Sequence, residues 1–182
     1  MLPRTQILTG AAALIFVWIF LLARGVFAQE SGPSEYQIKA AFLYHFAQFV
    51  KWPPQAFASP TSPVVIGVLG KNMFGGNLEQ TIRNKTINNH PIEFKQFDSV
   101  SEAVHCQILF ISPSEKGRLP RILKGLAGAS VLTVSETDHF TDAGGMINFV
   151  IENDEVHFQI NNEAAQKAGL KISSKLLTLA VH

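Results

Sequence analysis

The run Val64–Leu69, VVIGVL, is six consecutive residues with no polar side chain among them. A strand with one wet face alternates apolar and polar residues, whereas a strand covered on both faces reads as a continuous apolar run. Valine and isoleucine suit this backbone because branching at Cβ restricts χ1. The stretch therefore reads as a buried parallel strand. Two further runs of the same kind follow, CQILFI at residues 106–111 and VLTV at residues 131–134. Between them, Leu119, Ile122, Leu123 and Leu126 recur at helical spacing, with Pro120 requiring a late start or a place in the first turn. Three buried strands separated by helices predict an α/β single domain, a mostly parallel sheet with helices on both faces. Residues 146–151 and 156–160 flank Asn153-Asp154, a turn signal that adds a C-terminal antiparallel hairpin.

Upstream, Ser34-Glu35-Tyr36-Gln37 has the form S-x-x-Q, a capping box ahead of an apolar helical run. The spacing predicts a helix from about residue 35 to residue 51, stopped by Pro53-Pro54. Ile38, Phe42, Phe46 and Phe49 make one stripe; Tyr36, Ala40, Leu43, Ala47 and Val50 make another. Lys39, Gln48 and Lys51 then supply most of its polar surface. A helix apolar nearly all round is buried on several sides, or presents part of its circumference to a partner. Tyr36, Tyr44, Phe49 and Trp52 are the aromatic anchors such a partner or dimer surface would use.

The N-terminal residues read as an address. Arg4 precedes an uncharged apolar run at residues 11–23, and Val26-Phe27-Ala28 places small residues at −3 and −1 of a cut before Gln29. Residues 1–28 are expected to be a cleaved signal peptide, residues 29–33 a short leader and residues 34–182 the domain. The alternative is an N-terminal membrane anchor, since residues 7–23 approach the length of a span. With cleavage, no stable membrane insertion remains.

Composition narrows the chemistry. The chain of 182 residues is 47% hydrophobic and 16% charged, with 15 basic and 14 acidic residues, so bulk charge does not suit it to nucleic acid. One cysteine, Cys106, excludes an intrachain disulfide and a multi-cysteine zinc site; it is a buried thiol or an intermolecular one. The six histidines are nowhere closer than five residues apart, so no local metal pair is written. His105 and Cys106 are neighbours on a strand, and alternation points them to opposite faces rather than into a dyad. No nucleophile elbow, Walker loop or Rossmann glycine motif is present. No enzyme and no cofactor are expected. The segment 70–76, GKNMFGG, leaves a strand and enters a helix, where open α/β sheets bind ligands. Asn72, Phe74, Gly75 and Gly76 are its candidate ligand residues; a plain tight turn is the competing reading.

Six blocks carry a resemblance: YQIKAAFLYHFAQFVKWP at 36–53, VIGVLGKNMFGGNLE at 65–79, CQILFISPSE at 106–115, VLTVSE at 131–136, GGMINFVIENDEVHFQIN at 144–161 and AGLKISSKLLTLA at 168–180. In this order they resemble the YfiR/HmsC-like family of bacterial periplasmic regulators. The resemblance implies a compact, dimeric α/β domain without catalysis. It implies binding to the periplasmic part of an inner-membrane diguanylate cyclase, which holds cyclic di-GMP and biofilm formation down. Some members carry cysteine pairs that act as a redox switch; with Cys106 alone, that switch does not transfer. The competing reading is a periplasmic small-ligand sensor built on the 70–76 loop.

Overall fold

The structure is a computed structural model, and it describes residues 33–181. The expected signal peptide and most of the leader lie outside the described residues. Helix α1 (Glu35–Phe49) opens on the capping box read from the sequence: the Ser34 hydroxyl accepts from the Gln37 amide, and the Gln37 side chain accepts from the Ser34 amide. Each bond satisfies an N–H that the helix start would leave unpaired. The helix ends two residues earlier than expected. Val50 turns extended, and strand β1 (Val50–Lys51) pairs antiparallel with a second short strand, with Val50 opposite Ile172 and Lys51 opposite Lys171. A long-range ladder thus overrides helical propensity before the prolines do.

Strand β2 (Val64–Leu69) leads through α2 (Asn77–Ile82) into a short hairpin, β3 (Thr86–Ile87) and β4 (His90–Phe97). Its two turn residues, Asn88 and Asn89, both have positive φ, which asparagine tolerates better than most residues. Then come α3 (Val100–Ala103), β5 (Ile108–Ile111), a 3₁₀ turn (Pro113–Arg118), α4 (Leu119–Gly125) and β6 (Leu132–Ser135). Pro120 sits in the first turn of α4, where its missing N–H costs little. The hairpin β7 (Ile147–Glu152) and β8 (Glu155–Ile160) follows, turning on Asn153 and Asp154, both left-handed. It is not the end of the chain: α5 (Asn162–Lys167), β9 (Lys171–Ile172) and α6 (Ser174–Thr178) come after it.

The main sheet has the order β3-β4-β2-β5-β6-β7-β8. The pairs from β4 through β7 are parallel and the outermost pair at each edge is antiparallel. Every residue of β2, β5 and β6 is buried, as a doubly covered strand requires. Alternation sends their side chains into two cores. Ile66, Val68, Phe110 and Val134 meet Leu43, Phe46 and Ala47 of α1 and Leu78 of α2. Val65, Leu69, Leu109 and Ile111 meet Ala103 of α3 and Leu119 and Ile122 of α4. Helices therefore cover both faces. Removing a side chain such as Leu43 or Phe46 from water contributes about 1.5–3 kcal/mol.

Because β4 lies on one side of β2 and β5 on the other, the strand order reverses at the carboxyl ends of β2 and β5. Such a switch point is the usual ligand crevice of open α/β sheets. Here the chain fills it. A Cβ on Gly70, whose φ is +88°, would lie 2.6 Å from Ser114 Oγ and 2.7 Å from Glu115 Cγ. The Lys71 amide donates to Ser114 Oγ at 3.0 Å. Glycine at 70 lets the 3₁₀ turn close over the crevice.

Candidate functional site

The four aromatic residues singled out on and after α1 are all half-buried, but they do not form one surface. At 3.6 residues per turn, Tyr44 and Phe49 point about 140° apart. Tyr36 faces the carboxyl ends of the strands. Its ring meets Phe74 edge-on at 5.5 Å, and its hydroxyl donates to Glu136 at 2.8 Å. Tyr44 lies on one shoulder of the helix, where the Lys85 ammonium sits 4.2 Å from its ring centroid and Gln48 donates to its hydroxyl. His45, beside it, is exposed and bonds Gln48 at 3.0 Å. Phe49 falls on the opposite shoulder with Ile38 and Phe42, both also half-buried. Trp52 is anchored at the other end of the sheet, its indole donating to the Gln107 carbonyl at 3.1 Å.

Lys39 corrects the sequence reading most sharply. It counted as polar surface on α1, yet its side chain is 2% exposed. Its ammonium pairs with both Glu35, one turn back, and Glu136, just past β6. It also lies 4.9 Å from the Tyr36 ring centroid. A buried ammonium is tolerated when paired and hydrogen-bonded in this way. Burial first, and then the hydrogen bond to Glu136, raise the Tyr36 phenol above its ordinary range. It stays a donor. Beneath this cluster, Asn148 is buried with its amide nitrogen facing the Ser135 and Thr137 carbonyls, each 3.1 Å away. The Ser135 hydroxyl donates to the Ile111 carbonyl at 2.7 Å. Hydrogen bonds thus join the carboxyl ends of β5 and β6 to the start of β7.

A groove of about 760 Å³ opens over this cluster. Glu35, Glu136, Asp138 and Asp142 line it, against Lys39 and His139. Lys39 is engaged by two of these carboxylates, and His139 bonds Asp142 at 2.9 Å. The mouth of the groove is therefore acidic. Ile151, half exposed at the hairpin, borders it. Such a groove suits a basic segment of a partner. Sequence reading missed it because its charges come from two distant segments, α1 and the turn after β6, and uncharged hairpin residues supply the remaining wall. The only local sign was Glu35 one helical turn before Lys39.

In the 70–76 loop, Phe74 is 1% exposed and packs edge-on against Tyr36 and Phe110, the latter at 4.9 Å. Asn72 caps the loop from within, its side-chain oxygen accepting from the Phe74 amide at 2.9 Å. Gly75 and Gly76 are exposed, and a Cβ at either would meet nothing within 4 Å. The loop's aromatic residue is a plug of the core. Cys106 precedes β5 rather than opening it and is 3% exposed. Burial pushes its thiol up to about 12 from an ordinary 9.0. Among the described residues there is no cluster of three metal-ligating side chains, and no helix is long and apolar enough to cross a membrane.

Residues 36–181 match a family model described as YfiR/HmsC-like. The match spans most of the chain, from the first turn of α1 to the last described residue, so the chain belongs to that family. No curated protein matches it.

Proposed function

We propose, from membership of the YfiR/HmsC-like family, that this protein is a periplasmic regulatory binding protein. It represses a membrane-bound diguanylate cyclase, or a related signalling receptor, through the receptor's periplasmic domain, and so lowers cyclic di-GMP and biofilm formation. It acts as a homodimer and is exported by an N-terminal signal peptide. The observation that carries this reading is the family match over residues 36–181, nearly all of the described domain.

The geometry supplies the contact chemistry. The acidic groove beside Tyr36 favours a basic stretch of the receptor, and the half-buried shoulder of Ile38, Phe42 and Phe49 supplies apolar area on α1 itself. Regulation then needs no bond made or broken by this chain. A partner that binds only the inactive receptor shifts the receptor's population by its difference in affinity.

The test is capture from detergent-solubilised inner membrane with the protein as bait. The reading expects a diguanylate cyclase, or a sensor carrying such a domain. Recovery of no membrane signalling protein at micromolar bait contradicts it.

A further inference from the structure

A second concavity, of about 520 Å³, lies at the opposite end of the sheet, where β2, β5 and β6 begin. We propose that it binds a small organic anion, an apolar body carrying a single carboxylate or sulfonate. This site is separate from the regulatory surface and does not rest on that reading.

Three observations converge. The first is shape held in advance. One wall is the loop 53–63, and it is fastened to the sheet by one buried side chain. Gln107, 2% exposed, accepts from the Val65 amide at 2.8 Å and donates to the Ala56 carbonyl at 2.7 Å. Its own carbonyl takes the Trp52 indole and the Leu132 amide. The polar groups of Gln107 are thereby satisfied within the protein, so the wall stands without a ligand, and binding costs little ordering. The volume falls in the range of small-molecule sites.

The second observation is charge. No aspartate or glutamate lines the cavity, whereas Lys95 and His105 do. Lys95 has one acidic neighbour, Glu93 at 3.8 Å, and both side chains are half exposed. Such a pair contributes little, so the ammonium can exchange Glu93 for a ligand's acid group. The backbone amides of Gly128 and Ser130, two more lining residues, meet no acceptor among the described residues. The third observation is the apolar lining: Phe57, Val104 and Ala129 offer the body of a ligand a dry contact. The carboxyl-end crevice, the ordinary place for a ligand in this topology, is occupied by Ser114 and Glu115.

The experiment is an amide-resolved NMR titration of the ¹⁵N-labelled full protein with octanoate, phenylacetate and octylamine. Saturable one-to-one shifts at His105, Gly128 and Ser130 are expected with an acid and not with the amine. Octanoate as the tighter probe marks an alkyl ligand, and phenylacetate an aromatic one. Lys95→Gln weakens binding about tenfold. Ala129→Trp fills the cavity and abolishes binding while the remaining amide spectrum stays native. If Ala129→Trp disturbs the fold, Lys95→Gln on the exposed rim still decides the matter. Equal binding of octylamine, shifts scattered over the surface without saturation, or an unchanged affinity in Lys95→Gln overturns the proposal.

Discussion

The two ends of the parallel sheet are finished in different chemistry. The carboxyl end is closed by charge: Lys39, buried between Glu35 and Glu136, with Tyr36 donating to the same Glu136 and Phe74 plugging the gap below. The amino end is held by neutral bonds: Gln107 ties the loop 53–63 to β2, and Cys106 packs beside it. A buried ion cluster leaves a charge without a partner when one member is lost, whereas a neutral amide loses two ordinary hydrogen bonds. The first arrangement leaves an acidic mouth that suits a protein partner. The second leaves a preformed, carboxylate-free cavity.

The comparison sharpens most at the carboxyl end. Phe74→Ala removes a ring buried to 1% and should cost about 3–5 kcal/mol in denaturant unfolding. A loss below about 1 kcal/mol would mean the 70–76 loop is not part of the core. Glu136→Ala strips Lys39 of its more buried partner and should cost about 3 kcal/mol. The double change Lys39→Met with Glu136→Leu should recover most of that loss, because it removes both charges together. If the double variant is as unstable as the single one, the ion cluster is not the source of the cost.

At the amino end the effects are smaller. Gln107→Leu keeps the volume but leaves the Val65 amide and Ala56 carbonyl unmet, and should cost about 1–3 kcal/mol. Cys106 gives a pH test. Its pKa is raised to about 12 in the folded protein, so the folded state resists losing the proton that the unfolded chain releases near pH 9. Stability is then full below about pH 9 and falls as pH rises toward 12, by at most about 1.4 kcal/mol per pH unit. Cys106→Ala should flatten the slope between about pH 9 and 10, before tyrosines contribute; an unchanged slope there would place the cause elsewhere. The smallest effect on stability belongs to Tyr44→Glu on the shoulder of α1. It gives up the packing of a half-buried ring but sets a carboxylate beside Lys85, so it should cost about 1 kcal/mol or less while weakening capture of the membrane partner. Unchanged capture would move the contact to the groove or to the Phe49 shoulder.

The same comparison shows what the sequence could and could not disclose. The three central strands of the main sheet were legible because VVIGVL, CQILFI and VLTV carry their burial in one short run each. Ser34 and Gln37, and Asn153 and Asp154, were legible because caps and turns are local chemistry. The β1–β9 ladder was not, since two residues near position 50 meet two near position 171. Lys39 was misread as surface because helical spacing shows a face but not what lies across from it, and Glu136 is 97 residues away. Phe74 looked like a loop residue because the neighbouring glycines mark a turn, while its packing partners come from α1 and β5. The candidate aromatics were found one by one, but their division between two shoulders and two ends of the sheet is a property of the fold.

The most direct test of the regulatory account is cyclic di-GMP synthesis by inner-membrane vesicles that carry the captured receptor, measured with and without added protein. The account predicts that synthesis falls saturably as the protein is added, and that Asp138→Asn, which removes an exposed carboxylate from the groove without touching the Lys39 cluster, shifts the titration to higher concentration. Synthesis unchanged at saturating protein, with the receptor bound, would contradict it.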